Sequence, residues 1–257
     1  MLCKGILVLA LASVCYASGT PSHAFIIALD AAWGEQLAAR ISRHLSLQSV
    51  HVIVANNGTT ASLPLYTRHL IAHGRHEHIQ IGNRAMVGCL LSHVEAWRRV
   101  SSWAYVFEED ALVEEGALQS VSQLLQEVMW VNFSVLMLQA RRFEAAGVVH
   151  KTGPLAATCD SCTWFGTRGY IVTEQGARVL LEYVEPVVVQ VDALMGLVNE
   201  FDPRFHLFWT QTEIVGNARP LASTVWDGCV LACFGVAVQI ACLVSVVVLC
   251  AVMTHCI

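Results

Sequence analysis

Read along the chain, apolar runs alternate with amphipathic stretches. Ala24–Leu29 is a short apolar run that ends at Asp30, which predicts a first strand. Glu35–Leu47 carries Leu37, Ala38, Ile41 and Leu45 at helical spacing. Val50–Val54 predicts a second strand, closed by the turn Asn56-Asn57-Gly58. Arg84–Val100 sets Val87, Leu90, Leu91, Val94 and Trp97 on one side of a long helix. Ala104–Phe107 is a strand that runs straight into acids. Gly116–Trp130 predicts a helix, Ser134–Leu138 and Gly169–Val172 strands, and Glu174–Tyr183 a further helix. Strands alternating with helices predict an α/β layered domain with a mostly parallel central sheet. In such sheets ligands bind beyond the carboxyl ends of the strands.

Two segments stand outside this alternation. Residues 1–17 read as a secretory signal peptide: Lys4, the apolar run Gly5–Val14, then Cys15-Tyr16-Ala17. A retained signal anchor is the other reading, and the run is short for one. Residues 229–253 contain no charge and one amide, Gln239. As a helix at ~1.5 Å per residue this segment reaches about 37 Å, enough to span a bilayer with some tilt. A buried core helix, or a glycolipid-anchor signal with Ala222, Ser223 and Thr224 as attachment site, are the alternatives. The expected organisation is signal peptide 1–17, lumenal domain 18–228, transmembrane helix 229–253 and cytosolic stub 254–257. That makes a single-pass type I membrane protein of the secretory pathway, its domain in the lumen of the ER or Golgi.

Composition agrees. The chain of 257 residues is 55% hydrophobic and 14% charged, which excludes intrinsic disorder. Fifteen Lys and Arg against twenty Asp and Glu give −5, which argues against a nucleic-acid partner. Of ten cysteines, only Cys89, Cys159 and Cys162 fall in the expected lumenal domain, too few for a disulfide-stapled scaffold. Cys159 and Cys162 have the spacing of a local disulfide; without a second pair they are a poor zinc site. Asn57-Gly58-Thr59 and Asn132-Phe133-Ser134 are sequons. His69 and His73 have i, i+4 spacing, and His76 and His78 follow, but no further ligands complete a zinc shell.

The most informative segment is Ala104-Tyr105-Val106-Phe107-Glu108-Glu109-Asp110-Ala111. Three acids at one strand end repel one another unless a positive partner joins them. A hard divalent cation with oxygen ligands is such a partner, and it would bridge the carboxylates to a diphosphate. A solvated acidic turn is the plainer reading.

Gly88-Cys89-Leu90-Leu91-Ser92-His93-Val94-Glu95-Ala96-Trp97, followed by the Phe107–Ala111 strand end, resembles glycosyltransferase family 25. That family includes lipooligosaccharide and procollagen galactosyltransferases. Gly166-Thr167-Arg168-Gly169-Tyr170-Ile171-Val172 with Gly176-Ala177, and Pro186 with Val191-Asp192, continue the resemblance over about residues 82–195. It implies a single GT-A-like nucleotide-sugar-binding domain, dependent on Mn2+ (or Mg2+). Such a domain would move a hexose, in the family's precedent galactose, from a UDP-sugar to a hydroxyl of a protein (hydroxylysine-type) or glycan acceptor. Asp110, Glu109 and Glu108 are the implied metal ligands. Asp110 and Asp192 are the implied catalytic residues, with Asp192 as base in an inverting transfer. Ser92, His93, Glu108, Gly166 and Gly169 are implied near the donor. Two departures stand out: Glu109 where the family has aspartate, and no arginine in Leu29-Asp30-Ala31-Ala32-Trp33-Gly34, where Trp33 offers a face for a uracil. They leave a second reading, a catalytically inactive relative that acts as a binding or retention module.

Overall fold

A computed structural model describes residues 20–59, 62–73, 79–139, 149–159 and 166–218. The expected signal peptide, the apolar segment 229–253, the stub 254–257, His76, His78 and Cys162 lie outside the described residues. Among the described residues no helix is long and apolar enough to cross a membrane.

Strand β1 (His23–Ala28) leads into α1 (Ala31–Leu45), then β2 (Ser49–Val54), α2 (Leu65–His73) and α3 (Arg84–Arg99). Next come β3 (Trp103–Glu108), β4 (Ala111–Val113), α4 (Ala117–Val128), β5 (Val135–Met137), β6 (Val149–Lys151) and β7 (Ala156–Cys159). The described part ends with β8 (Gly169–Thr173), α5 (Glu174–Glu182), α6 (Val191–Phe201), β9 (Leu207–Thr210) and β10 (Val215–Asn217).

Local chemistry sets the helix starts. The Asp30 carboxylate accepts from Trp33 N at 2.7 Å, so α1 begins at Ala31, four residues before the expected Glu35. Asn83 caps α3 and Thr173 caps α5 in the same way. The helix expected over Gly116–Trp130 stops at Val128 and tightens into a 3-10 turn over Met129–Val131.

Eight strands form one sheet in the order β2-β1-β3-β8-β5-β9-β7-β6. β1 pairs in parallel with β2 and β3, and β5 with β9. β8 runs antiparallel between β3 and β5, and β7 antiparallel to β9 and β6. Six strands therefore share one direction and two oppose it, which fits the expected α/β class with a mostly parallel sheet.

Both faces are covered, which explains why the central strands read as continuous apolar runs. Successive residues alternate between two cores. Phe25, Ile27, Ala104, Val106, Tyr170 and Val172 meet α3, α5 and α6 on one face. Ala24, Ile26, Tyr105, Phe107 and Ile171 meet α1 and α4 on the other. Ile26 and Phe107 are fully buried, each worth roughly 1.5–3 kcal/mol in area removed from water.

The reversed β8 has one positional consequence. Its first residues start at the edge where β1, β2, β3 and β5 finish. The acids after β3, the loop before β8, the turn after β2 and the first turn of α6 thus meet along one rim.

Candidate functional site

The three acids do not point one way, because strand alternation sends neighbours apart. Glu108 faces α3. Its Oε1 lies 3.3 Å from His93 Nε2 and accepts a hydrogen bond from the Thr167 hydroxyl. Glu109 reaches the end of β1, where its Oε2 accepts from Leu29 N at 2.9 Å. The Glu109 carbonyl oxygen accepts from the Trp33 indole N–H at 3.1 Å, so Trp33 is tied to the acidic turn. Asp110 turns toward β8, where Oδ2 accepts from Arg168 Nε at 3.2 Å.

Behind Glu108 lies a buried polar chain. The Trp97 indole N–H donates to the Tyr170 hydroxyl oxygen at 2.9 Å, and that oxygen lies 2.8 Å from His93 Nδ1. Trp97 can only donate. Every group is satisfied when the Tyr170 hydroxyl donates to Nδ1 and the Nε2 proton goes to Glu108. His93 and Tyr170 are fully buried, so this chain fixes one orientation of the carboxylate.

Gly166 joins the loop before β8 to α6. Its N–H donates to Asp192 Oδ2 at 2.8 Å, and its carbonyl accepts from Gln139 Nε2. Gly166 has φ +89°, a left-handed conformation that suits glycine. Asp192 Oδ1 accepts from Ala193 N at 2.8 Å; this acid is the second residue of α6, behind the N-cap Gln190, and braces the loop from the helix's first turn. Ser92 joins two elements at the rim. It accepts from Asn56 N at 2.8 Å and donates to the Gly88 carbonyl at 2.7 Å, which pins the turn after β2 onto α3. Gly169 is buried, and a side chain there would meet Val215 and Phe107 at about 3 Å, so the close approach it permits is to the protein's own core.

The carboxyls are driven apart in acidity. Burial pushes Glu108 up, but hydrogen bonds and charge from His93, then Thr167 and Arg168, outweigh it and hold the carboxyl below its usual value. Asp110 is raised by burial and by the Glu108 charge, which Arg168 only partly offsets. Asp192 is raised by burial, against hydrogen bonds from Gly166 and Ala193. Carboxyls split in this way suit different roles in one site.

Among the described residues, the buried oxygens without a hydrogen-bond partner include two at this site, Asp110 Oδ1 and Gln139 Oε1. An orphaned buried carboxylate oxygen is costly unless a cation or donor joins it. Hard oxygen ligands beside the Glu108 charge fit a divalent cation such as Mn2+ or Mg2+. Arg168 and Gln139 are site residues that sequence reasoning passed over. Arg168 stands between the two glycines of a quoted block, which was the available signal; Gln139 had none.

The remaining sequence candidates lie elsewhere. His69 and His73 sit on α2 with ring centroids 4.5 Å apart. Asn57 is exposed, and its Oδ1 accepts from Thr59 N and Oγ1. Asn132 is exposed too, though Phe133 and Ser134 beside it are buried.

A Haemophilus influenzae protein carrying the name "Putative glycosyltransferase" is 30% identical over 121 residues, covering 42% of this chain and 40% of that relative. The chain thus spans less than half the length of that relative. The profile of glycosyltransferase family 25 (LPS biosynthesis protein) matches residues 24–195, from β1 into α6. That match takes in more than half of the chain and every site residue from Trp33 to Asp192, and the chain belongs to glycosyltransferase family 25.

Proposed function

We propose that this protein is a hexosyltransferase that moves a sugar, galactose by family precedent, from a UDP-sugar to a hydroxyl of a protein (hydroxylysine-type) or glycan acceptor. The observation that carries this reading is the rim of Glu108, Asp110 and Asp192 with Arg168, at the strand ends where an α/β sheet binds ligands. Asp110 through its unpartnered Oδ1, with Glu108 beside it, would hold a divalent cation, Mn2+ or Mg2+. When bound, such an ion supplies positive charge against a diphosphate leaving group. Arg168 sets the direction of the Asp110 carboxylate. His93, Tyr170 and Thr167 set that of Glu108. Glu109 and Trp33 hold the turn between them and β1.

Asp192 accepts the proton of the acceptor hydroxyl as its oxygen bonds to the sugar carbon. The bond from that carbon to UDP breaks in the same displacement, and the sugar inverts. The raised Asp192 carboxyl is a better proton acceptor than an ordinary aspartate.

Supporting membrane attachment is the uncharged segment 229–253, with residues 1–17 as signal, which yields a type I protein with its domain in the ER or Golgi lumen. Protease protection of residues 18–228 in sealed microsomes, lost with detergent, is the expected result. Digestion without detergent contradicts it.

A second reading, a binding or retention module without activity, draws on the Asp110–Arg168 ion pair, which already gives that acid a positive partner. Incubating the full chain with UDP-hexoses, with and without Mn2+, separates the two. Metal-dependent release of UDP supports transfer; UDP-sugar binding without release supports the module.

A further inference from the structure

On α3, Cys89 and His93 stand one turn apart on the face that meets Glu108 at the end of β3. One ligating atom from each of the three lies within 4.8 Å of the other two. His93 Nε2 and Glu108 Oε1 are 3.3 Å apart. Ligands held at ~2.0–2.3 Å around one tetrahedral ion stand roughly 3.3–3.8 Å from each other, so this pair is already at bonding separation. We infer that Cys89, His93 and Glu108 form a site for a thiophilic divalent cation, of which Zn2+ is the type, beside the oxygen-lined Asp110 position and sharing Glu108 with it.

Three further features support the site. A ligating histidine is normally oriented by a hydrogen bond to its other ring nitrogen, and His93 Nδ1 has the Tyr170 hydroxyl at 2.8 Å, itself held by Trp97. That hydroxyl donates or accepts, so it serves either tautomer. Glu108, Asp110 and Asp192 together make the pocket electronegative, which attracts a cation. The same charges, after burial itself, push the Cys89 thiol well up, so binding releases a proton from Cys89. Thiolate and imidazole select zinc over manganese or magnesium, which prefer oxygen. Three protein ligands leave a fourth position for water or an oxygen of a bound substrate.

A consequence rests on the transferase reading. An ion that takes Glu108 removes it from the oxygen-ligand set, so Zn2+ inhibits Mn2+-supported transfer.

The test uses the full chain and Co2+, which occupies zinc sites and shows thiolate coordination by a near-ultraviolet sulfur-to-metal absorption. The expected result is one equivalent of Zn2+-displaceable absorption in the wild type that is missing in Cys89→Ser. Tyr170→Phe is expected to keep the absorption and to bind roughly 10–100-fold more weakly. In the unaltered chain, Zn2+ is expected to slow alkylation of Cys89 while Mn2+ does not, a readout that needs no variant. Equal absorption in Cys89→Ser, no absorption in the wild type, or Cys89 alkylation indifferent to Zn2+ would overturn the site. In the transfer assay, Zn2+ inhibition weaker in Cys89→Ser than in the wild type supports the shared ligand, and equal inhibition contradicts it. Absence of transfer in every form counts against the transferase reading alone, because absorption and alkylation report the metal site without it.

Discussion

Glu108 and Asp110 are two positions apart, yet their surroundings pull their acidities in opposite directions. Glu108 has hydrogen bonds from His93 and Thr167 and the nearby charge of Arg168, and is held below its usual value. Asp110 has burial and a negative neighbour against one arginine. The same contrast bears on Asp192, the proposed base. An acceptor base must be ionised, and a raised Asp192 is protonated as pH falls through a point above the ordinary ~3.9 of aspartate. The acidic limb of the kcat/KM profile is therefore expected above the ordinary value of an aspartate. Asp192→Asn is expected to lower kcat by roughly 10²–10⁴-fold, with that limb abolished. A second acid acts on stability. Asp202 is held at about 2, chiefly by hydrogen bonds from Arg204 with help from Tyr183. Its folded-state value is lowered, so its stabilisation is present above the unfolded value near 3.8 and is lost as pH falls toward 2. The raised Asp110 and Asp192 work the other way, their stabilisation being lost as pH rises through their raised values. The Asp202 part is therefore read as a difference: between pH 5 and pH 2 the Tm of Asp202→Asn is expected to fall less steeply than that of the wild type.

At the scale of elements, the close contact of α3 with the turn after β2 sets the site's shape. A side chain at Gly88 would lie 2.0 Å from the Asn56 carbonyl oxygen, and one at Gly58, where φ is +71°, would lie 1.9 Å from the Arg84 carbonyl. Backbone meets backbone here, and no side chain can yield. Gly88→Ala is expected to destabilise the fold by about 1–3 kcal/mol, measured by urea unfolding, because the helix must move off the turn. This contact also shows what sequence patterns can and cannot carry. The strands β1, β2, β3, β5 and β8 and the helices α1, α3, α4 and α5 were legible because long periodic or continuous apolar runs mark them. The elements β4, β6, β7, β9 and β10 have three or four residues each, too few for a period to show; β5 is as short, but the continuous apolar run Val135–Leu138 marks it. The reversal of β8 is set by pairing with β3 and β5, a choice no local pattern encodes. In the site, Glu108, Asp110 and His93 were legible from their blocks. The contacts that orient the site were not, although Gly166 and Tyr170 stood in a quoted block: the His93–Tyr170 bond joins residues 77 positions apart and the Gly166–Asp192 bond residues 26 apart. That Glu109 looks toward β1 and Gly169 into the core follows from strand alternation in its actual register, which only the paired sheet defines.

For the molecule as a whole, one sheet edge gathers what the chain distributes. Two cores bury both faces of the sheet and leave its rim as the place where acids, a buried arginine and a left-handed glycine meet. Residues 24–195, the span shared with glycosyltransferase family 25, contain that rim. The central claim is that this rim works on a nucleotide sugar through Asp110. Its most direct test is the rate of UDP release from UDP-hexose by the full chain, measured with and without Mn2+ and repeated for Asp110→Asn. The account predicts release that depends on the metal and falls on the order of 10²-fold or more in the variant. Release at the same rate with and without metal, or undiminished in Asp110→Asn, would contradict it.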